Sequence, residues 1–290
     1  MSGSSIEFFA TGTNWKIDFS EALSPTKLAE IRNKLTERAE DFENDYSRFK
    51  DNSLISRMSK VIGEHHLPED AEKLMNFYFK LNRVTGGKFT PLVGDLLNRA
   101  GYDKDYSFVP KGSLQHIPDL KNVCKYSFPK INIHKRYQWD FGAAGKGYLI
   151  DILKELLDDM KVVECCIDAG GDICYKSNSK SLRIGLEDPN NFENVLGVVE
   201  VLNQSLCGSS GSRRHWSRYH HILDPIALHS PNSILSTWVL ADDTMTADGI
   251  ATSLFFTEPD KLSKDFVFDY LILNSDYSVK KSANFLAELF

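Results

Sequence analysis

The sequence predicts a mixed α/β (α+β) fold in a single unit, on three observations. Runs that alternate apolar and polar residues, the two-residue period of a strand, occur near the start, in the middle and near the end of the chain. Between them lie segments whose apolar residues recur every three or four positions, the period of a helix. No internal repeat, low-complexity tract or Pro/Ser-rich linker divides the 290 residues. The reading is therefore one domain over 1–290, with mixed sheets, flanking helices and room for two lobes.

The elements follow in order. "FFATGTNWKIDFS" alternates from Phe9 to Phe19 as a strand. From Thr26 to Phe49, Leu28, Ile31, Leu35, Phe42, Tyr46 and Phe49 fall at helical spacing. A second helix starts near Pro68, with Glu69 and Asp70 in its first turn and Leu74, Met75, Tyr78 and Leu81 inside. "TGGK" ends it, since glycine takes the left-handed conformation on which helices commonly stop. "KINIHKRYQWDF" reads as a strand running straight into "DFGAAGKGYLID", residues 140–151. Leu149, Ile152, Leu153, Leu156, Leu157 and Met160 then form a helical stripe. "VVECCIDAGGDICY", "LRIGLEDP" and "VLGVVEVLNQSL" read as successive strands, "ADDTMTADGIATSLFF" as a helix, and "FDYLILNSDYSV" as a late hairpin.

Composition narrows the function. With 42% hydrophobic and 26% charged residues the chain is ordinary globular protein, and its net charge of −6 without a Lys/Arg block argues against nucleic acid as a partner. Five cysteines, Cys124, Cys165, Cys166, Cys174 and Cys207, are odd in number and lack CxxC spacing, against a disulfide framework or structural zinc. Cys165, Cys166 and Cys174 sit in apolar strands and read as core. "MSGSSIEFFATG" shows no basic segment followed by an apolar core, and the first cysteine comes too late for a lipoprotein anchor. No run approaches the roughly 18 apolar residues of a membrane span. The expectation is a cytoplasmic protein without a membrane span, with an exported form trimmed of its leader as the alternative.

Five motifs bear on chemistry. Gly142-Ala-Ala-Gly145-Lys146-Gly147 is a glycine-rich turn between a strand and a helix, where a backbone can approach a phosphate. It matches neither GxxxxGK[ST] nor GxGxxG, so a bare tight turn fits these residues as well. In "ADGIAT", Asp248 and Thr252 lie four apart on one helix face, oxygen donors that suit Mg²⁺. The alternative is a helix with one aspartate and an inward threonine bonding its own backbone. "RYHHILDP" offers His220 and His221, which a strand would send to opposite faces, so only one can serve a given site. "CGSSGSRR" reads as a flexible loop whose amides and arginines could face an anion, or as a solvated turn; "DAGGDI" reads as a bare turn or a close approach to a planar ligand.

In combination these segments carry more. "FATGTNWKI", "FENDYSRFKDNSLISRM", "TGGKFTPLVGDLL", "DFGAAGKGYLID", "DAGGDI", "GLEDP", "HHILDP" and "ADGIATSLF" resemble, in order from about residue 8 to residue 257, the ApbE family of FAD:protein FMN transferases. The resemblance implies that the glycine loop lies against the diphosphate of FAD and lends the Ala143 carbonyl to Mg²⁺. Asp248 and Thr252 supply side-chain oxygens to the ion and Ala251 its backbone. Lys146 contacts the cofactor, Asp140 binds the flavin nucleotide, Phe49 lies against FAD, and Lys88, Phe89 and Thr90 form a contact segment. His221 is the candidate general base. The implied reaction moves FMN from FAD to a threonine hydroxyl of an acceptor flavoprotein and releases AMP. Water in place of threonine would make the same site a Mg²⁺-dependent FAD pyrophosphatase, and loss of turnover would leave a non-catalytic FAD carrier.

The chain departs from the family pattern at three places. Thr11 stands where "MGT" has methionine, which removes an apolar flavin contact. Thr90 replaces the aspartate of "GxFD". Ile226, Ala227 and Leu228 replace the "xTG" that follows "HxxDP".

Overall fold

A computed structural model describes residues 3–290; Met1 and Ser2, where the leader expectation begins, lie outside the described residues. Eight strands make one antiparallel sheet in the spatial order Ser5–Ala10, Thr13–Phe19, Cys165–Ala169, Ile173–Lys176, Gln204–Ser210, Ile234–Ala241, Asp269–Asn274 and Val279–Lys281. Helices Pro25–Tyr46, Ala71–Val84, Gly145–Asp159 and Thr244–Ser253 pack on one face. A three-stranded sheet of Ala287–Leu289, Asn191–Val201 and Leu182–Asp188 covers the other.

The alternation along each central strand sorts residues between these layers. Cys165, Ile167, Cys207 and Val239 join the helical core, whereas Cys166, Leu206, Trp238 and Leu240 join the core beneath the small sheet. This sorting explains the adjacent cysteines: they serve two different cores. Burial pushes the Cys165 and Cys166 thiols up to about 12, so both stay protonated and inert. All five cysteines are free and buried.

The long helix begins where Ser24 accepts from the Lys27 amide and Pro25 occupies the first turn. Its buried residues Ile31, Leu35, Ala39, Phe42 and Tyr46 make one stripe. It stops at Tyr46, so Phe49 lies beyond it in the following turn rather than on it. The strand expected over Phe9–Phe19 is two strands, folded back at Thr11 (φ 49°) and Gly12 (φ 73°). Only Lys130–Ile133 of "KINIHKRYQWDF" is strand. Beyond it the backbone finds other partners: Gln138 N–H donates to Asp95, Trp139 N–H to Ser59 Oγ and Asp140 N–H to the Pro91 carbonyl. "CGSSGSRR" also differs from expectation, because Cys207–Ser210 belong to a central strand of the large sheet. Helices Leu54–Lys60 and Gly94–Ala100 and strand Gly63–His66 had no clear signal in the sequence. Among the described residues no helix is long and apolar enough to cross a membrane.

Candidate functional site

The glycine loop is small because two helices cross at it. A Cβ on Gly147 would lie 2.4 Å from the Thr244 carbonyl oxygen and 2.7 Å from Asp248 Cβ, so only glycine lets the Gly145–Asp159 and Thr244–Ser253 helices meet there. Each helix then satisfies the other's N-terminal amides. Gly147 N–H donates to Asp248 Oδ2 at 2.9 Å. In return Asp151 accepts from Thr244 N–H at 2.8 Å and Met245 N–H at 2.9 Å. Asp243 closes the same end by accepting from Thr246 N–H at 2.8 Å. The loop entrance is tied as well, with Asp140 Oδ1 accepting from Gly142 N–H at 2.6 Å.

Above this crossing opens a cleft of about 820 Å³, within the size range of cofactor sites, roughly 300–1,000 Å³. Six basic side chains, Arg48, Lys50, Lys88, Lys146, Arg213 and Arg214, line it against four acidic ones, although the whole chain carries −6. Such a lining favours an anionic ligand. Its aromatic wall is Phe49 stacked on Tyr106, ring centroids 5.4 Å apart, with Tyr102 edge-on at 6.1 Å. The Arg48 guanidinium lies 4.2 Å from the Phe49 ring, forms an ion pair with Asp140, and donates to Asn98 Oδ1 and the Tyr102 carbonyl.

The buried carboxylates around the cleft differ in one respect. Asp140 is paired with Arg48, Asp172 with Lys146, and Asp224 with Lys88 at 3.0 Å. Asp248 has no ion-pair partner among the described residues, and its Oδ1 accepts no hydrogen bond there. Burial pushes its carboxyl up, while the Lys146 charge and the Gly147 amide hold it back. Thr252 joins it on the cleft wall, its hydroxyl 3.3 Å from Ser209 Oγ, and Ala143 lines the same wall.

A family model described as "ApbE family" matches residues 11–266. This chain belongs to the ApbE family. A Haemophilus influenzae protein named FAD:protein FMN transferase is 24% identical over 311 aligned positions, covering 94% of this chain and 88% of that one. A Vibrio cholerae protein of the same name is 22% identical over 266, covering 84% and 78%. The crystal structure of the ApbE protein from Thermotoga maritima shares the fold with a TM-score of 0.84, at 21% identity over 97% of both chains. The flavin transferase ApbE from Vibrio cholerae gives 0.78 at 18% identity, over 97% of this chain and 98% of that one.

The candidate residues of this ApbE-family chain divide by whether they line the cleft. Thr11, Phe49, Lys88, Phe89, Thr90, Asp140, Ala143, Lys146, His221, Asp248 and Thr252 all line the cleft. Ala251 does not: it is buried, and its carbonyl accepts the Thr237 hydroxyl at 2.7 Å. Phe89 and Thr90 carry structural duties too. Phe89 packs on Tyr78 at 4.9 Å, and Thr90 Oγ1 accepts from Leu92 N–H at 3.3 Å. Thr11 N–H donates to Glu43 at 2.7 Å, and its hydroxyl accepts from Trp15 Nε1 at 3.3 Å, which fixes a polar residue at this corner.

The two histidines part at a strand end: Tyr219–His220 is the strand, and His221 lies in the bend that follows it. His220 Nε2 donates to the Pro231 carbonyl at 2.8 Å and its Nδ1 accepts from Ile222 N–H at 3.3 Å, so both nitrogens serve the fold. His221 instead lines the cleft, and its Nδ1 has no hydrogen-bond partner. Burial first, then the charges of Arg214, His220 and Lys146, lower its pKa to about 3, so the ring is neutral with a free lone pair. Sequence reasoning missed Arg48, Tyr106, Asp151 and Asp172, whose partners lie far away along the chain. Asp172 was visible only as the last polar residue of "DAGGDI".

Proposed function

We propose that this protein transfers FMN from FAD to a threonine hydroxyl of an acceptor flavoprotein, with Mg²⁺, releasing AMP. The observation that carries the reading is Asp248: a buried carboxylate beside a basic, cofactor-sized cleft, with one oxygen free of hydrogen bonds and no ion pair among the described residues. The names of the curated relatives support the activity, and the chemistry of the donor set supports the metal. Asp248, the Thr252 hydroxyl and the Ala143 carbonyl are hard oxygen donors of the kind Mg²⁺ prefers, and they would hold it. Bound there, the ion would neutralise the diphosphate and stabilise charge on the departing phosphate. Ala251 contributes through Thr237 to the packing beneath these donors.

The chain's own groups account for the rest. Phe49 and Tyr106 offer an aromatic platform for the flavin ring, and Lys146, Lys88 and Arg214 offer positive charge to phosphates. The threonine oxygen attacks the FMN-side phosphorus, the bond from that phosphorus to the AMP oxygen breaks, and AMP leaves with its oxygen. His221, which lines the cleft with a neutral ring, takes the hydroxyl proton. Burial is the main cause of its low pKa; a bound diphosphate would offset the added charges of Arg214 and Lys146 and so raise the proton affinity of the ring.

The test is intact mass of an acceptor flavoprotein after incubation with this protein, FAD and Mg²⁺, with AMP assayed in parallel. One FMN added per acceptor, with equimolar AMP, is the expected result. AMP without the adduct would replace the transferase with a pyrophosphatase, and neither product would leave an FAD carrier.

A further inference from the structure

Lys146 stands one residue before Gly147, whose amide holds Asp248, and its charge is felt by both Asp248 and His221. Its ion pair nevertheless goes elsewhere, to Asp172. Asp172 is buried and sits on a hairpin turn that leaves it little freedom. Ala169 N–H donates to the Asp172 carbonyl at 2.9 Å, and Gly171 N–H donates to Asp168 Oδ1 at 2.8 Å. Gly170 is left-handed at φ 67°, and a Cβ there would meet Thr13 Oγ1 at 2.3 Å. The turn is thus pressed against the first hairpin, and Asp172 is fixed before any ligand arrives.

We infer that Asp172 is a positioning residue that holds the Lys146 ammonium away from Asp248 and so keeps the Asp248 oxygen available to a divalent cation. The inference rests on the metal reading above and deepens it. An ammonium and Mg²⁺ are alternative counter-ions for one carboxylate. A lysine tethered one residue from Gly147 competes as an intramolecular ligand, at an effective concentration of roughly millimolar or more. With Arg48 committed to Asp140 and Lys88 to Asp224, Lys146 is the cation whose charge reaches Asp248, and Asp172 is what occupies it.

The experiment uses Mn²⁺ alone, without FAD, titrated into the full chain and followed by electron paramagnetic resonance. Asp172→Asn is expected to weaken Mn²⁺ binding about tenfold, and Lys146→Met in the same chain to restore it. Lys146→Met by itself should leave affinity within about threefold, because the lysine is already held aside. Unchanged binding in Asp172→Asn, or no recovery in the double variant, would overturn the inference while leaving the metal site standing. No Mn²⁺ bound by the unaltered protein would remove the metal reading and this inference with it. Should Asp172→Asn not fold, Lys146→Met still decides: a gain of tenfold or more would show that the lysine competes in the native protein.

Discussion

Asp248 and Asp151 are near twins placed on two crossing helices. Each is buried, each caps the N-terminus of the other's helix, and burial raises the pKa of each. They differ in what remains after capping. Asp151 spends both oxygens on the amides of Thr244 and Met245 and does not line the cleft. Asp248 spends only Oδ2, and its other oxygen is left beside a basic cleft. The same residue type in the same kind of helix crossing is therefore a fastener in one case and, on the proposed function, a metal ligand in the other, and the free oxygen makes the difference.

The largest effect expected from breaking this comparison is at Asp248. Asp248→Ala should cut Mg²⁺-dependent FMN transfer about a thousandfold, while urea unfolding shifts by no more than about 1 kcal/mol. Turnover near the original level would show that the free oxygen has no catalytic use. His221→Ala tests the other side of the cleft, with kcat expected to fall about a hundredfold and FAD affinity to hold. Equal losses in kcat and affinity, read from steady-state rates and flavin fluorescence, would make His221 a binding residue. Asp151→Ala reverses the pattern of Asp248→Ala. It orphans two buried amides and should cost about 2 kcal/mol of stability in denaturant titration, with the Mg²⁺ dependence of transfer little changed.

The smallest effect is in pH. Burial raises the Asp151 carboxyl from 3.8 to about 6, so between those values the folded protein binds more protons than the unfolded chain. This group's contribution to stability therefore falls as pH rises through that window and is constant above it. Asp151→Asn should flatten thermal stability between about pH 4 and 6, and a slope as steep as the original would assign the effect to another group.

Much of the site was legible because its signals are local. The four-residue spacing of Asp248 and Thr252 follows from the helix period, and the small residues of the glycine loop mark a close approach of backbone; the two histidines, read as one strand, part instead because the strand ends at His220. The partners of those residues were not legible, since they depend on which segments meet. Arg48 is 92 residues from Asp140, and Asp151 is 93 from Thr244. Residues 134–141 show the converse error. Tyr137, Trp139 and Phe141 continue the alternation of Ile131 and Ile133, but backbone bonds to Ser59, Asp95 and Pro91 draw them out of the sheet. Alternation reports which residues are buried, and it does not report what the backbone bonds to. The fold class survived such errors because the two-sided burial of the central strands is written along them residue by residue.

The most direct test sets the twins against each other. An acceptor flavoprotein, FAD and Mg²⁺ are incubated with the unaltered protein, with Asp248→Asn and with Asp151→Asn, and the acceptor is weighed by intact mass spectrometry. One EDTA-sensitive FMN adduct with the unaltered protein and with Asp151→Asn, and none with Asp248→Asn, is the result predicted here. An adduct formed by Asp248→Asn, or one indifferent to EDTA, would contradict the account.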